Sequence, residues 1–184
     1  MVDQTPLISR EEQITGPKLG HSCCGCCCDT RRAVILVQIV FQIILGTVSA
    51  ILYSEGDFYD DWSNNPRVTK DLEDAYRKLA IVAGVGAGVG LLVIFGAVTY
   101  KAPLIYLGIV MILVENALSI AFLWPAIQDQ QEKTGGAIWV SLIGPIVWML
   151  VLVYPHIVFA SEIKRGIMSP ETYDREKQCG CCNV

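Results

Sequence analysis

Over most of its length this chain is short of charge. Asp, Glu, Lys and Arg make up 17% of its 184 residues and are bunched rather than interleaved, which excludes an ordinary soluble domain with a polar surface wrapped around its core. Histidine is scarcer still: His21 and His156 are the only copies and fall in separate contexts. No Gly-x-Ser-x-Gly, Walker loop, His-Glu-x-x-His or Asp-His-His-Cys stretch occurs. Nothing therefore assembles a nucleophile, a general base or a metal-bound water, and neither enzymatic activity nor a cofactor is expected. Cysteine is missing between Cys28 and Cys179, and there is no Asn-x-Ser/Thr sequon, so neither a disulfide nor an N-glycan is expected on the long central loop. Residues 1–32 lack the apolar core of a cleavable signal peptide, which leaves the first hydrophobic run to act as its own insertion signal. The net charge of −4 sums two faces of a membrane, and no nucleic-acid partner is expected.

What is present is apolar sequence in long runs. Hydrophobic residues make up 53% of the chain and the mean hydropathy is +0.46. Four runs, 33–54, 79–100, 103–125 and 137–160, are almost free of charge. At 1.5 Å per residue each reaches roughly 33 to 36 Å, enough to cross a hydrocarbon core ~30 Å thick. The expectation is an all-α polytopic membrane protein: a four-transmembrane-helix bundle over 33–160, with short cytosolic tails at 1–32 and 161–184 and the bilayer as first partner. Residues 55–78 and 126–136 are expected as loops on the far side.

Residues 1–22 carry Pro6, Gly16, Pro17 and Gly20 with no sustained period, which predicts a flexible tail. Within it, Asp3 followed by Leu7-Ile8 fits an acidic dileucine sorting signal. Pro6 biases Thr5 toward the extended geometry that docking to clathrin-adaptor machinery requires. Cys23, Cys24, Cys26, Cys27 and Cys28 then stand immediately before Arg31, Arg32 and the first span, and Cys179, Cys181 and Cys182 close the chain. Thiols at headgroup level suit S-acylation, and several chains anchor where one does not. Metal binding is the competing reading, through the two-residue spacings Cys23/Cys26 and Cys24/Cys27. Adjacent thiols cannot all face one ion, so acylation is preferred and no metal site is assigned; inert thiols are the third possibility.

Polar groups inside the spans are few. Gln38 and Gln42 share a face of the first, and Glu115, with Asn116 beside it and Ser119 one turn on, lies near the middle of the third. A carboxyl at that depth is either protonated or paired. No Lys or Arg lies within a span, so Gln38, Gln42 and His156 are its candidate hydrogen-bond partners. Two readings stay open: interhelical hydrogen bonding, or handling of a proton or ion. In the second span Gly84/Gly88 and Gly86/Gly90 repeat at i and i+4, which predicts close helix packing, within the chain or against another membrane protein such as a second copy. Gly144-Pro145 predicts a kink in the fourth.

Nine of the fourteen Lys and Arg fall on the tail side of these spans, which places both termini in the cytosol by the positive-inside rule. The run Cys23-Cys24-Gly25-Cys26-Cys27 just before the first of four spans, with Arg31 and Arg32 after it, resembles the lysosome-associated transmembrane (LAPTM) family. The resemblance implies an endolysosomal, non-enzymatic protein involved in sorting or in movement of small molecules and lipids. Many members recruit ubiquitin ligases through Pro-Pro-x-Tyr boxes in the C-terminal tail. Here Ser169-Pro170-Glu171-Thr172-Tyr173 has none, and ligase recruitment is not expected. Tetraspanins also carry Cys-Cys-Gly, but in a disulfide-bonded outer loop that has no counterpart here. The expectation is a sorting or scaffolding protein of endosomal, lysosomal or vacuolar membranes, with the plasma membrane as an alternative location. The alternative function is a small transporter or proton or ion pathway using Glu115.

Overall fold

The computed structural model describes residues 19–20, 22–23, 28–55, 66–134 and 138–177. A two-residue antiparallel ladder, β1 (Ser22–Cys23) with β2 (Cys28–Asp29), pairs Ser22 with Asp29 and Cys23 with Cys28. Its last residue caps the first membrane helix: Asp29 Oδ1 accepts from the Arg32 N–H at 2.8 Å, satisfying a donor that has no partner inside the helix. That helix runs as α1 (Thr30–Val37), a π-helical segment over Gln38–Leu45, and α2 (Gly46–Glu55). Then follow α3 (Pro66–Val98), α4 (Ala102–Thr134), α5 (Ile138–Lys164) and the short α6 (Tyr173–Glu176). Four helices are long and apolar enough to span a bilayer, over Thr30–Leu52, Glu73–Val98, Ala102–Trp124 and Ile143–Lys164. The chain is an integral multi-pass membrane protein.

The helices are longer than charge alone suggests. Residues 66–78, expected as loop, form the first turns of α3, and α4 runs through Pro125 as far as Thr134. Pro66 stands at the first helical position, where its missing N–H costs nothing, and Arg67, Lys70, Glu73, Arg77 and Lys78 are good helix formers, with Asp74 and Lys78 paired at i and i+4. At 33 residues each, α3 and α4 measure about 50 Å, so their ends project beyond a ~30 Å hydrocarbon layer. Leu19 and Gly20, expected in a flexible tail, are instead held by hydrogen bonds to Glu176.

Two hydrophobic clusters hold the bundle together. One lies at the end that carries both tails, hereafter the tail face, where Val34, Val93, Ala97, Ile105, Phe159, Ala160 and Met168 draw on all four spans and the segment after α5. The other, Val37, Ile112, Leu152 and Val153, lies deeper in the bundle. Toward the opposite end, the loop face, α2 leans on α3. Residues 143–148 of α5 are all exposed there. Phe41 and Trp148 meet edge to face at 5.0 Å between ring centroids and bridge the first and fourth spans. Among the described residues, the larger buried cluster lies at the tail face.

The two glycine pairs of α3 behave differently. Gly86 is buried against Glu115 of the third span and Gln42 of the first, and Gly90 against the first span, whereas Gly84 and Gly88 meet nothing within 4 Å. Of the two alternatives left by the spacing, packing within the chain uses Gly86 and Gly90, while Gly84 and Gly88 lie on the exposed side of α3. A third close approach involves Gly96, where an added Cβ would lie 2.4 Å from Leu104 Cβ. Gly96→Ala is expected to destabilise the bundle by about 1–3 kcal/mol through overpacking, while Gly88→Ala, at an open helix-interior position, costs nothing and stabilises by up to about 1 kcal/mol. Reversible unfolding of both variants in the same detergent checks the contrast.

Candidate functional site

Four helices contribute to one polar array inside the membrane. The π-helical segment carries Gln38 and Gln42, both buried. π-Helical turns are rare and concentrate at functional sites. From this segment Gln38 meets His156 on α5, with Nε2 to Nε2 at 2.7 Å, and Gln42 Nε2 donates to Glu115 Oε2 on α4 at 2.7 Å. The imidazole is oriented by its own helix: Nδ1 lies 2.9 Å from the Leu152 carbonyl. With Nδ1–H donating there, Nε2 is the acceptor for the Gln38 amide. Pro155 precedes His156 within α5 and removes one rung of its ladder, a gap tolerated in membranes when nearby groups satisfy the freed backbone.

Gly86 and Gly90 make room for this array. An added Cβ at Gly86 would lie 1.7 Å from Glu115 Oε1 and 2.8 Å from Gln42 Oε1; at Gly90 it would lie 3.2 Å from Gln38 Oε1. The backbone of α3 thus presses against both carboxamides and the carboxyl. Of the candidate partners for Glu115, Gln42 is the one that binds it, and Gln38 and His156 pair with each other. Asn116 turns away and donates to the carbonyl of Ile112 on its own helix at 2.8 Å. Ser119 lines a cavity of about 360 Å³ between the first three spans, together with Gln42, Ser49, Glu115 and the apolar side chains of Phe41, Leu79 and Leu123.

A second polar cluster, which the sequence does not announce, closes the tail face. Thr30 donates to the buried Glu162 at the end of α5. Glu176 accepts from the backbone N–H groups of Leu19 and Gly20, at 2.7 Å from the latter, and from Arg175 Nε at 2.7 Å. A Cβ at Gly20 would lie 2.9 Å from both Glu162 Oε1 and Glu176 Oε2, so only a residue without one passes between the two carboxylates. Arg31 lies between the rings of Tyr100 and Tyr173, 5.0 and 4.4 Å from their centroids, and donates to the Ala97 carbonyl at the end of α3 at 3.1 Å. Tyr100 adopts φ +55° at the helix-terminating position usually given to glycine, and Lys101 N–H closes the turn onto Gly96 O at 2.8 Å. Burial pushes the Tyr100 hydroxyl above the ordinary phenol range, with Arg31 opposing the shift.

The dileucine residues Asp3, Leu7 and Ile8 lie outside the described residues, as do Cys24, Cys26, Cys27, Cys179, Cys181 and Cys182. Cys23 and Cys28 are described through their backbone pairing. Among the described residues no group of three His, Cys, Asp or Glu is placed to hold a metal ion. No family model, curated protein or solved structure matches the chain.

The Gln38–His156 pair ties the first span to the fourth across hydrocarbon. A double-mutant cycle through Gln38→Leu and His156→Leu is expected to return a coupling of about 1 kcal/mol, the range of intramembrane hydrogen bonds. Additive single effects in detergent unfolding would deny the bond.

Proposed function

We propose that this protein is a sorting or scaffolding protein of endosomal, lysosomal or vacuolar membranes, with both termini in the cytosol and its cysteine-rich tails S-acylated. The observation that carries the reading is the pairing inside the membrane. Gln38–His156 and Gln42–Glu115 join separate helices, as groups that hold a bundle together do. The acidic dileucine at Asp3–Ile8, the excess of Lys and Arg on the tail side and the resemblance to the lysosome-associated transmembrane family support the location. The tail-face cluster supports the scaffold, since it brings residues just before the first span and residues after the last into one structure.

Replacing Leu7 and Ile8 by Ala is expected to move a tagged copy to the cell surface, and an unchanged distribution in cells removes the sorting claim. Thioester-specific labelling is expected to detect acylated cysteines; eight free thiols would remove the anchoring claim.

A second reading, a small transporter or proton or ion pathway using Glu115, is favoured by the cavity that reaches this carboxyl. In that case Glu115→Gln, which keeps shape and hydrogen bonding but cannot titrate, abolishes pH-dependent flux in proteoliposomes. Absence of flux from the unaltered protein ends that reading. A Glu115→Gln variant as stable as the parent, beside a less stable Glu115→Leu, then assigns the carboxyl to helix bonding alone.

A further inference from the structure

We infer that the cavity beside Glu115 binds a small organic amine, an ammonium head carried on a compact apolar body. The inference deepens the pathway reading and rests on the same cavity, but it concerns occupancy and holds whether or not the ligand crosses the membrane.

The donor and acceptor count at the polar end of the cavity selects the head group. Glu115 Oε2 already accepts from Gln42 Nε2, and an ionised carboxylate offers further acceptor sites on both oxygens. Gln42 directs its amide N–H at Glu115, which leaves its carbonyl oxygen as an acceptor, and the hydroxyls of Ser49 and Ser119 lie on the same lining. Among the described residues that line the cavity none is Lys, Arg or His. A site rich in acceptors and without a cation is complemented by a donor bearing positive charge, and it repels phosphates and carboxylates.

The walls select the body. Phe41, Leu45, Leu79, Val82, Ala83 and Leu123 supply apolar surface around a volume of about 360 Å³, within the range of small-molecule sites. A bare metal ion would fill little of that space, and no cluster of three acidic, His or Cys ligands accompanies Glu115 among the described residues. An amine with a short hydrocarbon or aryl body fills the volume and meets like with like. Charge gives the same answer: an ammonium and a carboxylate buried together bring no net charge into hydrocarbon, whereas either alone is costly there.

The test is equilibrium binding of radiolabelled 2-phenylethylamine to the full chain in lipid nanodiscs. Empty nanodiscs report partition into lipid, and unlabelled 2-phenylethylamine, 2-phenylethanol and phenylacetate serve as competitors of matched size. Saturable binding displaced by the amine alone is expected, weakened by about tenfold or more in Glu115→Gln, the size of one lost charge-assisted hydrogen bond. Ser49→Leu, which leaves the carboxyl in place and fills the cavity, is expected to weaken binding as well. It decides the matter if Glu115→Gln does not yield a folded protein. Competition by 2-phenylethanol equal to that by the amine overturns the proposal, as do binding no greater than to empty nanodiscs and binding indifferent to both substitutions. Saturable, Glu115-dependent binding without flux in proteoliposomes keeps the site and ends the pathway reading; flux of protons without amine binding does the reverse.

Discussion

Hydrocarbon offers no water to a polar group, and the rest of this structure follows from that constraint. Once Gln38, Gln42, Glu115 and His156 are placed within the spans, each needs a partner from the protein, and the partners lie on other helices. The first span must therefore present both carboxamides inward, α3 must approach without side chains at Gly86 and Gly90, and α4 and α5 must bring the carboxyl and the imidazole to meet them. Apolar packing brings helices together in many registers with similar energies. Two hydrogen-bonded pairs at different depths admit far fewer.

The apolar runs made the membrane class and the number of spans readable from residue order, because length and hydropathy alone decide whether a helix can cross a bilayer. Helix ends were less readable. Polarity marks where a helix leaves hydrocarbon and does not mark where it stops, so 66–78 and 126–134 read as loop although they belong to α3 and α4. The two glycine pairs of α3 could not be told apart for a related reason. Spacing at i and i+4 shows which residues share a face, but Gly86 is distinguished from Gly88 by the residues that other helices bring to it.

The candidate site was partly legible. Glu115 stood out as the acidic residue within a span, and its partner belonged to a short list of polar residues. Which of Gln38, Gln42 and His156 would bind it depends on the π-helical geometry of Gln38–Leu45, for which an unbroken apolar run gives no signal. The tail-face cluster was hidden because its parts are remote in sequence: Arg31 stands at the foot of the first span, and the rings that enclose it, Tyr100 and Tyr173, come from the turn after α3 and the start of α6. A signal was present in Tyr100-Lys101-Ala102, a turn too short to end one helix and begin the next without a left-handed residue.

The hold of Glu176 on the backbone of Leu19 and Gly20 has a consequence for synthesis. The two partners are separated by all four spans, so while the ribosome is still making the membrane helices the segment ahead of the first one has nothing to close upon. Insertion and closure are accordingly distinct events. The spans enter the bilayer one after another, and the tail face is sealed only when residues 173–176 have been released. A chain cut short before them would be fully inserted and still unlatched, with the amides of Leu19 and Gly20 deprived of Glu176 and the ring of Tyr100 deprived of Tyr173.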